Sequence, residues 1–201
     1  MLVVQAPKDN DDLDARIIEL SSSAGPAAVA AYCRGVLDAP KLPKGTTRAK
    51  LLVLLGEFSE RAGDVQAAGT AFKAAVEDGG QAAPDTRGFL AGWELEHGDV
   101  AEGRRLIAQI WDERPSDPTV YLFVGELLEE RADLASAARW YTAGALRALE
   151  RDRTSSGPVA ALLLRRRRAR LAQGLPEDDY DEISEQMRTG TYVDLDADPG
   201  P

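Results

Sequence analysis

Three short turns decide how this chain is read: Ala62-Gly63-Asp64-Val65, His97-Gly98-Asp99-Val100 and Arg131-Ala132-Asp133-Leu134. They recur at spacings of 35 and 34 residues. Seven residues before the Gly63-type position stand Gly56, Ala91 and Gly125, all small, and five after it stand Ala68, Gly103 and Ala137. Nine after it come Phe72, Ile107 and Tyr141, all large and apolar, and twelve after it Ala75, Ile110 and Gly144. A helical hairpin needs small side chains where its two helices cross and a large one where the gap widens. The turn glycine suits a left-handed end to the first helix, and the aspartate after it caps the second. One hairpin cannot bury its outer apolar face, whereas stacked copies can.

Working outward from these turns, apolar residues recur at three and four, the amphipathic helix pattern. Alternating Val, Ile and Thr runs are scarce, and hairpin signals of the Asn-Gly kind are missing between them. The breaks at Gly, Pro and Asp predict helices at 11–22, 26–38, 47–62, 65–78, 85–96, 100–113, 117–131, 134–151, 157–173 and 177–188. Pro26 is placed to open the second helix, and Pro176 to start the last. The expected fold class is all-α, an α-α superhelix of about five helical hairpins. A short extension (1–10) precedes a single repeat domain over 11–188, and an acidic tail (189–201), rich in Asp, Gly and Pro, reads as disordered.

The 34-residue period and its small–Gly-Asp–small–aromatic–small pattern resemble the tetratricopeptide repeat (TPR), best over 49–82, 84–117 and 118–151. Divergent capping pairs are expected at 11–38 and 157–188. Phe58, Trp93 and Leu127 fall one position before the place where the family expects an aromatic, which holds Ser59, Glu94 and Leu128. Ile110 stands where a small residue is usual. The chain thus looks like a bacterial TPR-like protein, and its usage of 19 Arg against 5 Lys fits a GC-rich genome. The resemblance implies a solenoid whose first helices line a concave, protein-binding face. Carried over residue by residue, its contact positions are Lys50, Val53, Glu57 and Glu60, then Asp85, Gly88, Gly92 and Leu95, then Thr119, Leu122, Glu126 and Glu129. This mixed acidic and apolar set implies a basic or amphipathic protein segment as partner. Each position has a plainer reading as a solvated face or packing filler.

Composition narrows the chemistry. With 34 acidic residues against 24 basic the net charge is −10, which argues against coating nucleic acid or an anionic membrane. A single cysteine, Cys33, forbids an intrachain disulfide and any multi-cysteine zinc site, and it reads as a small core residue. His97, the one histidine, falls in a turn without a Ser or Cys motif beside it. Gly-rich phosphate loops and H-E-x-x-H patterns do not occur. Asp9-Asn10-Asp11-Asp12-Leu13-Asp14 lacks the Gly and distal Glu of a calcium loop and reads as a helix cap. The expectations are therefore no catalysis, no metal and no cofactor. Lacking an apolar run of about 18 residues or a signal segment, the chain is expected to be cytoplasmic and without a membrane partner.

Two further surfaces stand out. Trp93, Trp111 and Trp140 read as core more readily than as an interface; used as one, they would support a homodimer or self-associating structural protein. Arg165, Arg166, Arg167, Arg168 and Arg170 spread around a helix axis. Arg168 shares the Leu164–Leu171 face and is expected to be the arginine partly buried against an acid, with Glu177, Asp178, Asp179, Asp181 and Glu182 neutralising the cluster. The alternatives are an acidic protein partner or, less readily, a nucleic-acid-linked regulator, since no aromatic occurs between Tyr141 and Tyr180.

Overall fold

The computed structural model of the protein describes residues 7–151 and 156–189. Ten helices are found among them: α1 (Asn10–Ser23), α2 (Pro26–Leu37), α3 (Arg48–Arg61), α4 (Val65–Asp78), α5 (Thr86–His97), α6 (Val100–Glu113), α7 (Pro118–Glu130), α8 (Leu134–Arg151), α9 (Ser156–Ala172) and α10 (Asp179–Thr189). The protein is all-α. Most of the expected acidic tail, residues 190–201, lies outside the described residues, as do residues 1–6 of the expected extension.

The chain forms two compact units that divide between Glu113 and Arg114, within the stretch 11–188 that the sequence reads as one domain. In the first unit each helix from α1 to α6 packs on its neighbours in sequence, and α3 also touches α5. In the second, α7, α8, α9 and α10 pack in the same serial way, and α7 also touches α9.

The helix ends are set by the acids and prolines of the sequence. Asp9, Asp64 and Asp133 accept hydrogen bonds from the amides of Asp12, Ala67 and Ser136, opening α1, α4 and α8. Pro26 and Pro118 occupy first-turn positions. The last helix starts later than Pro176 implies, because Asp178 caps it through the Tyr180 amide at 3.2 Å.

In two of the hairpins a large position lies directly on a small one. A Cβ on Gly56 would fall 2.6 Å from Cδ1 and 2.7 Å from Cζ of Phe72, so the ring lies directly on the α3 backbone. Gly125 and Tyr141 repeat this in the α7–α8 hairpin, with Cδ1 at 2.6 Å. Between α4 and α5 the Trp93 indole covers Gly69, and its Nε1 donates to the Val65 carbonyl at 3.0 Å.

The three defining turns are not built alike. At the first, Gly63 has φ +82, and the Asp64 amide donates back to the Ser59 carbonyl at 2.9 Å. The third keeps that bond, Asp133 to Leu128 at 3.0 Å, but places Ala132 at φ +59. The second departs from the left-handed expectation: Gly98 has φ −123. There Glu94, the counterpart of Ser59 and Leu128, receives the Asp99 amide on its side-chain carboxylate at 2.6 Å. Gly98 is small for a different reason, since a Cβ would collide with Glu94 Oε2 and lie 2.9 Å from Trp93 Cζ3.

Candidate functional site

In the first unit the residues carried over from the repeat pattern fall on two touching helices, α3 and α5, except Asp85, which caps α5. Val53, Gly88 and Gly92 are buried and serve packing. Lys50 is occupied within the fold: its Nζ reaches Asn10 Oδ1 at 2.5 Å and Asp14 at 3.0 Å. Asp85 caps α5 through the Arg87 amide and pairs with the Arg87 guanidinium, which also grips Glu113 at 2.5 Å. Those hydrogen bonds raise the Arg87 pKa and hold the Glu113 carboxyl below its usual range. Leu95 is half-buried, in reach of a Cβ on Gly103.

Glu57 and Glu60 are the residues of this set that keep carboxylates partly in solvent on α3. Among the described residues Glu57 pairs with Arg61, one turn on in the same helix, at 3.7 Å. Burial pushes the Glu57 carboxyl up from its ordinary pKa, opposed by Arg61 and assisted by Glu60. Glu60 faces α5, where His97 Nε2 lies at 3.4 Å.

Behind this surface Glu94 is almost fully buried. Its Oε1 meets Lys73 Nζ at 3.0 Å, and that ammonium sits 5.1 Å from the centre of the Trp93 ring. This cluster ties α4 to α5. Cys33 is fully buried, and burial pushes its thiol up to about 12, far from a reactive thiolate. Among the described residues no group of three or more His, Cys, Asp or Glu side chains is placed to hold a metal ion.

In the second unit Thr119 is exposed and Leu122 half-buried on α7. Glu126 and Glu129 stand 69 residues after Glu57 and Glu60, at equivalent places in the period, but their surroundings differ. Arg165 of α9 meets Glu126 at 2.5 Å, and Arg168 meets Glu129 at 3.3 Å. Glu129 also accepts the Tyr141 hydroxyl at 2.8 Å, and burial together with that acceptor raises the Tyr141 pKa.

The arginine cluster is held throughout by acids of its own unit. Arg166, not Arg168, is the buried member, with its side chain 7 % exposed. Its guanidinium takes Asp178 at 2.6 Å and Asp181 at 2.9 Å, its Nε donates to Thr142 at 3.0 Å, and it stacks 4.9 Å from the Tyr180 ring centre. Arg167 pairs with Glu177 and Glu185, and Arg170 with Asp178 and Asp181. The reason for the exchange lies in the face α9 buries. Val159, Leu162, Leu163, Arg166 and Ala169 point inward, whereas Leu164, Arg168 and Leu171 are exposed.

No protein-family model, curated protein or solved structure matches the chain. Among the described residues no helix is long and apolar enough to cross a membrane.

Proposed function

We propose that the protein is a non-catalytic, TPR-like interaction scaffold that binds a basic or amphipathic segment of another protein on the α3–α5 surface of its first unit. The observation that carries this reading is the unequal fate of equivalent acids. Glu126 and Glu129 are answered by arginines from α9, whereas among the described residues Glu57 is answered by Arg61 of its own helix. A carboxylate whose ionisation burial already opposes gains most from an incoming cation. Leu95, half-buried on α5, is the apolar member of the same carried-over set, and acids with an apolar anchor are the combination by which an amphipathic segment is held. The pairing of every arginine from Arg165 to Arg170 with carboxylates supports a structural role for that cluster, since a nucleic-acid phosphate would have to displace them.

The test is affinity purification of tagged wild type beside a Glu57→Gln/Glu60→Gln variant, with mass spectrometry of the eluates. A protein lost from the variant, at unchanged helicity, is the expected result. Identical eluates would remove the α3–α5 surface from the reading. For a partner so identified, affinity should rise with pH as Glu57 ionises, above the ordinary carboxylate range because its pKa is raised.

A further inference from the structure

Glu60 and Glu129 stand 69 residues apart at the same place of the period, and each is met by a side chain of another helix. Glu129 is met by Arg168 at 3.3 Å, a guanidinium, which carries its charge throughout the physiological range. Glu60 is met by His97 at the end of α5, with Nε2 3.4 Å from its Oε1. The same ring nitrogen lies 3.7 Å from Oε1 of Glu96 on its own helix. Imidazole is the side chain that changes charge between about pH 5 and 8. His97 is the one histidine of the chain. Its ring is backed by Trp93, one turn earlier on α5, at 6.2 Å between ring centres, and that indole is held by its bond to the Val65 carbonyl. His97 and Glu60 nevertheless keep 27 % and 38 % of their side chains in solvent, so a proton and a partner can both reach them.

The other charged groups of α3, α4 and α6 toward this end of α5 are engaged elsewhere. Arg61 pairs with Glu57 and lies over the Phe58 ring, and Lys73 pairs with Glu94. Asp64 and Asp99 accept the Ala67 and Ala101 amides that open α4 and α6, Glu102 pairs with Arg105, and Arg104 is exposed. We propose, on the basic-partner reading of the α3–α5 surface, that His97 is the pH-operated gate of that surface. Protonated, it fills Glu60 with an internal cation, as Arg168 fills Glu129. Neutral, it leaves Glu60 to a cation of the partner. An incoming lysine or arginine is repelled by the imidazolium, so affinity is lowest in acid and rises as pH climbs through the imidazole range. By linkage, binding expels the proton from His97.

The experiment is fluorescence anisotropy of the full chain, from about pH 5 to 8, with a labelled synthetic amphipathic helix. The peptide carries leucines on one face and lysines beside them, so its own charge is constant over that range. Wild-type affinity should rise about two- to fivefold, the scale of one partly exposed charge pair. His97→Gln should lose that step. His97→Arg should hold the low affinity at every pH, because its guanidinium fills Glu60 permanently. Glu60→Gln, at equal helicity, should weaken binding and flatten the step. Dependence that persists in His97→Gln belongs to Glu57, whose carboxyl burial pushes up. Superimposable profiles for wild type and His97→Gln, or a His97→Arg that binds as wild type does at the alkaline end, overturn the gate and leave the surface standing. A peptide that binds at no pH, or that Glu57→Gln/Glu60→Gln fails to weaken, overturns the reading of the surface and the gate with it.

Discussion

The contact between Gly56 and Phe72 makes a quantitative prediction about how the repeat is built. Alanine is ordinarily the better helix former by about 1 kcal/mol, so Gly56→Ala should stabilise α3 if nothing opposed it. Here the new methyl would lie 2.6 Å from Phe72 Cδ1 and 2.7 Å from Cζ, where carbon atoms need roughly 3.5–4.0 Å. The ring must retreat by about an ångström in surroundings that leave Phe72 buried, and overpacking of this kind costs about 1–3 kcal/mol. The net expectation is a loss of about 1 kcal/mol. The second repeat carries a different solution at the same two positions, Ala91 with Ile107. Phe72→Ile alone should be destabilising, through the void left over Gly56. Installed together, Gly56→Ala and Phe72→Ile reproduce the second repeat's pair and should recover about 1–3 kcal/mol relative to the sum of the single changes. Urea unfolding of all four proteins, followed by Trp fluorescence and far-ultraviolet circular dichroism, measures the cycle. Additivity to within about 0.5 kcal/mol, or a stabilising Gly56→Ala, would refute the packing argument.

Three further outcomes are expected. Ala132→Gly should stabilise the second unit by about 0.5 kcal/mol, because relief of roughly 1–2 kcal/mol of left-handed strain at φ +59 outweighs the added freedom of the unfolded chain; a lower melting temperature would contradict this. Arg166→Leu should cost about 3 kcal/mol by removing the closer of the two guanidinium groups that pair Asp181, 2 % exposed, and leaving it Arg170 at 3.5 Å, whereas Arg168→Leu should be near neutral; equal losses in thermal unfolding would show that α9 buries the other face. Acid should loosen the α9–α10 pair. The hydrogen bond from Arg166 holds the Asp178 carboxyl below its usual pKa, so its contribution is complete above the ordinary carboxylate range and is lost as pH falls through the depressed value. Protection of the α10 amides, measured against their intrinsic exchange rate at each pH, should therefore fall in acid in wild type and fall less steeply in Asp178→Asn; matching slopes would refute the linkage.

The helices were legible in the sequence to within about two residues at each end, because their ends are written in local chemistry: Asp9, Asp64 and Asp133 as caps, Pro26 and Pro118 in first turns, Gly79 at φ +67 closing α4. The small and large positions were legible from their repeated spacing, but the seating of the Phe72 ring on Gly56 and of the Tyr141 ring on Gly125 was not, since the pattern placed the large residue in the gap beyond the crossing. Local chemistry does not extend to the second turn. Glu94 replaces a backbone carbonyl with its own carboxylate, and only burial against Lys73 and Trp93 tells it from an ordinary surface acid. The orientation of α9 escaped for a related reason. Leu162-Leu163-Leu164 starts two faces of equal helical period, one through Arg166 and Ala169 and one through Arg168 and Leu171. Periodicity cannot choose between them; Asp178 and Asp181, brought in by α10, choose the first.

The candidate surfaces were harder to read than the fold because charge pairing is tertiary. Glu57 and Glu126 share residue type and period position, yet among the described residues Glu126 is met by an arginine of another helix and Glu57 by Arg61 of its own. That difference depends on where α9 places Arg165, 39 residues beyond Glu126 in the chain. A repeat pattern can therefore nominate equivalent positions, but it cannot say which of them the fold has already satisfied. For this chain the pattern nominates acids in both units, and the pairing is why the proposed basic partner is assigned to the acids of α3.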